Sequence, residues 1–290
     1  MDSLKILHTF CDNIRTGAKG IAIDQIDTEI MDMQFTDERI KFKKSDQRMI
    51  LRFREKYGLE LTEDTVRQFS VSSCALRWRR PATREKEGYL PGGFSFNGLT
   101  DIFESQASFW EKSVEEFKKV GEAHLIDREL LTKLRWIESP TPLIEAWYNP
   151  QFGCVKFEEG KFPDEFYFYD SGLIYLLPFQ SFDEYIKALA DSAAVIGWQY
   201  FYIDPELVIK KNNGVNYITW SQHISSELEE GLKSLTIKTD TRFDRLDLID
   251  EYLERCIRLL PGSFPFINFG HHKKYYSAFR KLYSKSRTKK

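Results

Sequence analysis

Side chains suited to binding a partner lie together in one short segment of the chain. Arg77, Trp78 and Arg79 follow one another within a run of alternating apolar and polar residues, and tryptophan and arginine are the residue types that most often anchor protein interfaces. Successive side chains of a strand point to opposite faces, so Trp78 can instead belong to the core while both arginines face water. The segment therefore predicts either a partner-binding patch of all three residues or a core tryptophan between solvated arginines.

The C-terminal segment from His271 to Lys290 is basic, contains no acidic residue and carries aromatic residues at helical spacing. Tyr275, Phe279 and Tyr283 recur at every fourth position among lysines and arginines. This pattern could stack on bases and hold phosphates, as in proteins that bind single-stranded nucleic acid. A charge run is more often the solvated face of a helix whose aromatic edge packs on the core. The second interpretation is preferred, so nucleic acid is not the expected partner.

Motifs for binding a cofactor or a metal are missing from the sequence. No GxxxxGK[ST] loop and no GxGxxG after a strand is present, and Pro91-Gly92-Gly93 is predicted to be a turn. His271 and His272 are adjacent, so their side chains diverge, and no second ligand pair accompanies them. We expect both histidines to be solvated at the start of a helix. The sequence predicts no cofactor and no metal.

Catalytic groups cannot be assigned from spacing alone. Cys74 or Cys154 could meet His124 or His223 in space as a nucleophile and its base, but inert buried thiols are the preferred interpretation. Carboxylates could act in pairs, as in glycosidases, although acids in turns are usually solvated. The acids that flank the central strand candidates are Glu158, Glu159, Asp164, Glu165 and Asp170. We therefore expect that the protein is not an enzyme.

Composition points to a folded protein in a reducing compartment. The 290 residues are 42% hydrophobic with a formal net charge of -2, which fits a globular chain without a single-sign field. Cys11, Cys74, Cys154 and Cys256 form no CxxC pair. The sequence has no recognisable signal peptide and no apolar run of about 20 residues, the length that spans a membrane. The predicted location is cytoplasmic, with no membrane partner and with buried thiols.

Hydrophobic periodicity predicts an α+β fold in which helices pack on an antiparallel sheet. The stretch 166–189 indicates a strand, a turn at Asp170-Ser171-Gly172, a second strand and a helix whose capping box is Ser181 with Glu184. Short strand candidates follow one another closely from Trp136 to Leu177, which favours antiparallel pairing. Helices followed by such a sheet are typical of an α+β architecture.

Three segments are predicted along the chain. Residues 1–45 form an N-terminal accessory segment, residues 46–204 form the main domain, and residues 205–290 form a helical or mixed extension that ends in the basic aromatic tail. Asn213-Gly214 is predicted to be a hairpin turn between strands at Val208-Ile209 and Val215 to Trp220. Leu246, Ile249, Leu253 and Ile257 indicate a helix that ends before Pro261-Gly262.

The segment from Ile50 to Asp204 resembles the SUKH superfamily, the domain of yeast cell-wall assembly regulators and of many bacterial immunity proteins. The matching features are the helix Ile50-Leu-Arg-Phe-Arg-Glu-Lys-Tyr-Gly58, the run Leu61-Thr-Glu-Asp64 leading to Phe69, the loop and strand Gly92-Gly-Phe-Ser-Phe-Asn-Gly-Leu99, and Phe166-Tyr-Phe-Tyr-Asp-Ser-Gly172 with Ser181-Phe-Asp-Glu-Tyr185. The resemblance implies a SUKH-like α+β fold and a binding module without catalysis.

The leading functional hypothesis that follows from this resemblance is an immunity protein that neutralises a cognate toxin by binding it. Arg77, Trp78 and Arg79 are the candidate contact residues. A regulatory or scaffold subunit of a larger complex is the first alternative. A nucleic-acid-binding protein, or an enzyme of unrecognised type, is the second.

Overall fold

The computed structural model describes the chain in segments. The described residues are 3–27, 44–61, 75–80, 90–99, 102, 128–139, 151–156, 165–170, 172–213, 216–217 and 243–288. The features predicted at 62–69 and 143–147, and the residues Cys74, His124 and His223, lie outside them, as do Glu158, Glu159 and Asp164.

Helices and strands alternate irregularly along the described chain. The α-helices are α1 Ser3–Gly17, α2 Lys44–Tyr57, α3 Arg128–Lys133, α4 Phe182–Asp191, α5 Pro205–Asn212, α6 Arg245–Ser263 and α7 Gly270–Arg287, with a 3-10 helix at Trp198–Tyr202. The strands are β1 Ala22–Asp27, β2 Ala75–Arg80, β3 Leu90–Phe96, β4 Leu134–Ser139, β5 Gln151–Lys156, β6 Phe166–Asp170, β7 Leu173–Leu176, β8 Asn216–Tyr217 and β9 Phe243–Asp244.

Strands β1 to β7 form one sheet in which the spatial order equals the chain order. Every neighbouring pair is antiparallel, including the tight β6–β7 pair that aligns Asp170 with Leu173. Strands β8 and β9 form a separate small antiparallel pair. The prediction of an α+β fold built on an antiparallel sheet is confirmed.

The helix after β7 begins as its sequence predicts. Ser181 Oγ accepts the amide of Glu184 at 3.2 Å, while the Glu184 carboxylate accepts the amide of Gln180 at 2.8 Å. The Ser181 bond satisfies a backbone donor of the first turn. The Glu184 bond goes to Gln180, one residue before the N-cap, and not to the Ser181 amide that a capping box predicts. The apolar side chains of α4, among them Tyr185 and Leu189, are then buried against the sheet.

The two faces of the sheet are covered differently. The inner face, which includes Leu76, Trp78 and Phe168, shares one large hydrophobic cluster with the helices. The outer face of β4 to β7 carries a smaller cluster that includes Phe152 and Tyr169 and that also contains residues of α3. Side chains alternate between these clusters because successive strand residues point to opposite faces.

All three predicted segments contribute to the inner cluster. Leu7 of α1 and Leu253 of α6 belong to the same buried cluster as Phe168 of the central sheet. A buried ion pair adds a polar link, since Arg245 contacts the Asp170 carboxylate at 2.7 Å and both side chains are about 5% exposed or less. The Tyr200 hydroxyl also donates to Asp170. Residues on both sides of positions 45 and 204 thus share one buried cluster, and the division into three segments stays a prediction.

The predicted strand around Val208 is wrong. Val208 and Ile209 lie in α5, where Pro205 occupies the first turn and the Asp204 side chain accepts the amide of Glu206 at 2.9 Å. An Asp cap followed by proline is a helix start signal. This signal outweighs the Asn213-Gly214 turn pattern on which the hairpin prediction rested.

The predicted turn at Pro91-Gly92-Gly93 is also wrong, because these residues lie within strand β3 and pair with β2. Gly92 is opposite Trp78, and a Cβ on Gly92 would lie 2.2 Å from the indole ring. Gly93 has a φ of 145°, and a Cβ there would lie 2.2 Å from the carbonyl oxygen of Leu76. Glycine in a strand often marks such a close approach.

Trp78 fills the space that Gly92 leaves. Its indole Nε1 donates to the carbonyl of Ala193 at 2.9 Å, and its ring meets Phe264 edge-on with centroids 4.8 Å apart. The strand pair β2–β3, the segment after α4 and the C-terminal end of α6 therefore meet at one side chain. Ala193 and Ala194 both have positive φ, a conformation that these contacts hold in place.

We predict that Gly92→Ala destabilises the protein by about 3 kcal/mol, because the added methyl must displace a packed indole ring. Chemical unfolding monitored by tryptophan fluorescence and circular dichroism measures this change. The matched control is Gly262→Ala in α6, where a Cβ meets nothing within 4 Å. The control should stabilise the helix by up to about 1 kcal/mol. Equal effects of the two substitutions would contradict the role assigned to Gly92.

We also predict that Arg245→Met costs about 3–5 kcal/mol, because it leaves the Asp170 carboxylate buried without its cation. The double variant Asp170→Asn/Arg245→Met should be more stable than Arg245→Met, since it removes the stranded charge. Denaturant midpoints of the three proteins test this order. A double variant that is less stable than Arg245→Met would contradict the prediction. It would show that Asp170 contributes to stability by more than its ion pair with Arg245.

Candidate functional site

The structure separates the three predicted contact residues. Trp78 is 1% exposed and belongs to the inner core, so it cannot touch a partner while the protein is folded. Arg77 and Arg79 point to the outer face of β2. Of the two interpretations of this segment, the arrangement is that of a core tryptophan with arginines on the opposite face. Arg80 points inward, where it donates to Ser263 Oγ at 2.9 Å and to the Leu259 carbonyl at 3.2 Å.

The outer face around the two arginines is built from small and polar residues. Arg77 is aligned with Gln25 on β1 and with Gly93 on β3, and Arg79 is aligned with Ala22 and Pro91. Residues directly opposite each other in an antiparallel pair share a face. Arg77 and Arg79 therefore carry larger side chains than the described residues aligned with them.

The two arginines differ in their partners. Arg79 Nε lies 3.3 Å from Asp24 Oδ1, in an ion pair that is largely exposed. Arg77 is half-buried, its Nε is shielded from water, and no described residue accepts a hydrogen bond from that nitrogen. No described carboxylate forms an ion pair with Arg77, whereas Arg79 is already paired with Asp24. Arg77 is thus the better candidate for contact with an anionic group of a partner.

A buried carboxylate lies on the inner face of the sheet. Glu138 is 3% exposed and accepts hydrogen bonds from Trp198 Nε1 at 3.3 Å, from Gln199 Nε2 at 3.2 Å and from the Tyr185 hydroxyl. Burial raises its pKa to about 7, although the bonds from Tyr185 and Trp198 act in the opposite direction. These donors can stabilise a carboxylate in a site that otherwise disfavours charge.

Space for this cluster comes from Gly153, which is aligned with Glu138 on β5. A Cβ on Gly153 would lie 1.7 Å from the Tyr185 hydroxyl oxygen and 2.9 Å from Glu138 Oε2. Sequence reasoning did not select Glu138 or Gly153. Two signals were present: an acid directly after the apolar pair Trp136-Ile137, and a glycine between Phe152 and Cys154.

The two adjacent histidines have different surroundings. His271 is exposed, as expected, and its Nε2 lies 2.8 Å from the Phe201 carbonyl. His272 is 1% exposed, and its Nε2 lies 2.8 Å from Ser192 Oγ. The prediction that His272 is solvated is therefore wrong. Burial, with a smaller contribution from His271, lowers the pKa of His272 to about 3, so its ring is neutral near pH 7.

The remaining candidate groups are part of the fold. Cys11, Cys154 and Cys256 are free and buried, and burial raises the pKa of the Cys154 thiol. Glu165 forms an ion pair with Lys156 at 3.3 Å. Within the described segments, no group of three or more metal-ligating side chains is close enough to hold an ion. No helix in those segments is long and apolar enough to cross a membrane.

The aromatic residues of the C-terminal helix face inward. Tyr275, Phe279 and Tyr283 are 8%, 0% and 8% exposed and pack in the main core. They are therefore not available to stack on bases. The helix is amphipathic, as the preferred interpretation of the sequence predicted, and its lysines lie on the solvent side.

Comparison of the chain with protein-family models, with curated proteins and with solved structures gives no match. The resemblance to the SUKH superfamily stays a prediction.

We predict that Glu138 makes stability fall as pH rises. Its folded-state pKa of about 7 lies above the ordinary value of 4.5, so the unfolded chain loses this proton first. The stabilisation is complete below pH 4.5 and is lost as the pH rises to about 7. The predicted loss is about 3 kcal/mol.

The measurement is the unfolding free energy of the parent protein and of Glu138→Gln between about pH 4 and about pH 8. This range covers the pKa of Glu138 in the unfolded and in the folded state. The difference between the two proteins isolates Glu138 from His272, whose lowered pKa acts in the opposite direction. The difference should change through this window in favour of the variant at high pH. Glu254→Gln, at an exposed glutamate of α6, is the control. If the unfolding free energies of Glu138→Gln and of the parent protein change in parallel with pH, the prediction is wrong.

Proposed function

We propose that this protein is a non-catalytic protein-binding module and that Arg77 and Arg79 are its contact residues. The observation that carries the proposal is the partly exposed Arg77 side chain on the outer face of β2, with which no described carboxylate forms an ion pair. A carboxylate of a partner protein would pair with the accessible part of that guanidinium. The SUKH resemblance favours the same kind of function.

The chemistry of arginine fits this role. A guanidinium presents a planar fork of donors that can bind a carboxylate through two parallel hydrogen bonds. The β2 backbone is fixed from the inner side by Trp78, which contacts three elements. A rigid platform lowers the ordering cost of binding. Partial shielding of Arg77 also strengthens its attraction to an anion relative to a fully solvated cation.

The buried titratable groups support a binding role over a catalytic one. Glu138, His272 and Cys154 are each 3% exposed or less and contact neighbours within the fold. A substrate could reach them only if the core opened. Their altered pKa values follow from burial, which structural groups experience as well as catalytic ones.

Within this class, we propose an immunity protein that neutralises a cognate toxin. In such a complex the arginine face would cover an acidic part of the toxin near its active site. A few buried anchors would supply most of the affinity, and peripheral charges would set the association rate.

The test is affinity purification of the tagged protein from its native host, followed by binding measurements with the partner. Arg77→Ala/Arg79→Ala should weaken binding at least about tenfold, because a shielded arginine contact contributes on the order of 2 kcal/mol. Trp78 is left unchanged, since its replacement would unfold the core. Arg258→Ala, at an exposed arginine of α6, is the matched control and should not change the affinity.

Three outcomes are distinguishable. A single stoichiometric partner whose toxic activity is blocked by the parent protein but not by the arginine variant would support the proposal. A stable set of host proteins, with no toxic activity, would point to a regulatory subunit instead. Equal affinity of the arginine variant and the parent protein would exclude the face around Arg77.

A further inference from the structure

Helix α7 has a solvent face that carries an unusual density of positive charge. The helix contains four lysines and two arginines and no acidic residue, in a chain whose formal net charge is -2. Lys273, Lys274, Lys281 and Lys285 are all exposed. With about 100° of rotation per residue, Lys274, Lys281 and Lys285 lie within about 40° of one another and span about 16 Å along the axis. These three residues are called the lysine ridge below.

The cations at the edge of α7 are neutralised, whereas those on the ridge are not. Arg280 pairs with Asp250 at 3.4 Å, and Arg287 contacts Asp247. These bonds attach α7 to α6 and serve the fold. No carboxylate of the described chain forms an ion pair with Lys274, Lys281 or Lys285. The ridge therefore retains its positive charge toward solvent.

The surroundings of the ridge favour carboxylates of a protein over nucleic acid. Tyr275, Phe279 and Tyr283 are buried, which removes the stacking surface that single strands use. Arginine is the side chain that binds phosphates through two parallel hydrogen bonds. Arg280 and Arg287 already form ion pairs with acids of α6. What remains is a row of lysine point charges separated by the small exposed residues Ser277, Ala278 and Ser284. Such a surface allows the backbone of a partner to approach closely.

We propose that the lysine ridge of α7 is a second interaction surface, which docks an acidic segment of a protein partner. It is separate from the surface around Arg77, because α7 packs on the inner side of the sheet and Arg77 lies on the outer side. The proposal does not depend on the immunity function.

The experiment measures the binding of labelled poly-L-glutamate to the full-length protein by fluorescence anisotropy at low and at raised salt. Lys274→Glu/Lys281→Glu should weaken binding by about tenfold or more, because two attractive contacts become repulsive. The matched control is Lys5→Glu/Lys19→Glu, which changes the net charge equally at exposed lysines outside α7. Circular dichroism verifies that every variant is folded. Raised salt should weaken the binding of the parent protein.

Several results would overturn the proposal. They are an absence of binding by the parent protein, equal losses in the ridge variant and its charge-matched control, or tighter binding to duplex DNA of similar total charge. The last result would assign the ridge to nucleic acid. Arg77→Ala should retain the affinity for poly-L-glutamate, so a failure of the proposed function and a failure of this inference give different patterns.

Discussion

The architecture depends on a tryptophan that occupies the space above a glycine. Trp78 lies against Gly92 in the neighbouring strand, donates to the Ala193 carbonyl and meets Phe264 edge-on. One side chain therefore fixes the distances between the sheet, the segment after α4 and the end of α6. Close-packed interiors tolerate little change in volume. Trp78 consequently requires a glycine at position 92. This requirement also fixes the alignment of β2 with β3.

A second contact of the same kind lies at the centre of the sheet. Tyr185 reaches over Gly153, and its hydroxyl donates to Glu138. This contact is polar, because the Tyr185 hydroxyl must lie within hydrogen-bond distance of the buried Glu138 carboxylate. The Asp170–Arg245 ion pair likewise requires that the sheet and α6 place two buried charged groups in contact. Buried polar groups of this type contribute little net stability, but alternative packings would leave them unsatisfied.

Local patterns predicted the elements better than their contacts. The Ser181 cap and the alternation around Trp78 are properties of adjacent residues, and both appear in the structure as predicted. The role of Gly92 could not be predicted, because it depends on an indole from another strand. Likewise, the burial of His272 depends on Ser192, 80 positions earlier. Among the candidate contact residues, the alternation of the sequence predicted that Arg77 and Arg79 share a face, but it left open a core or a surface position for Trp78.

The same packing determines how charge is distributed over the surface. Trp78 directs its neighbours Arg77 and Arg79 outward, and the aromatic residues of α7 direct its lysines outward on the other side of the sheet. The two basic surfaces are separated by the sheet and by a helix diameter of about 10 Å. Electrostatic interactions are screened over about 8 Å at physiological salt. The electrostatic potentials of the two surfaces are therefore largely independent, and a chain with a net charge of -2 can present two local clusters of cations without a positive field over the whole molecule.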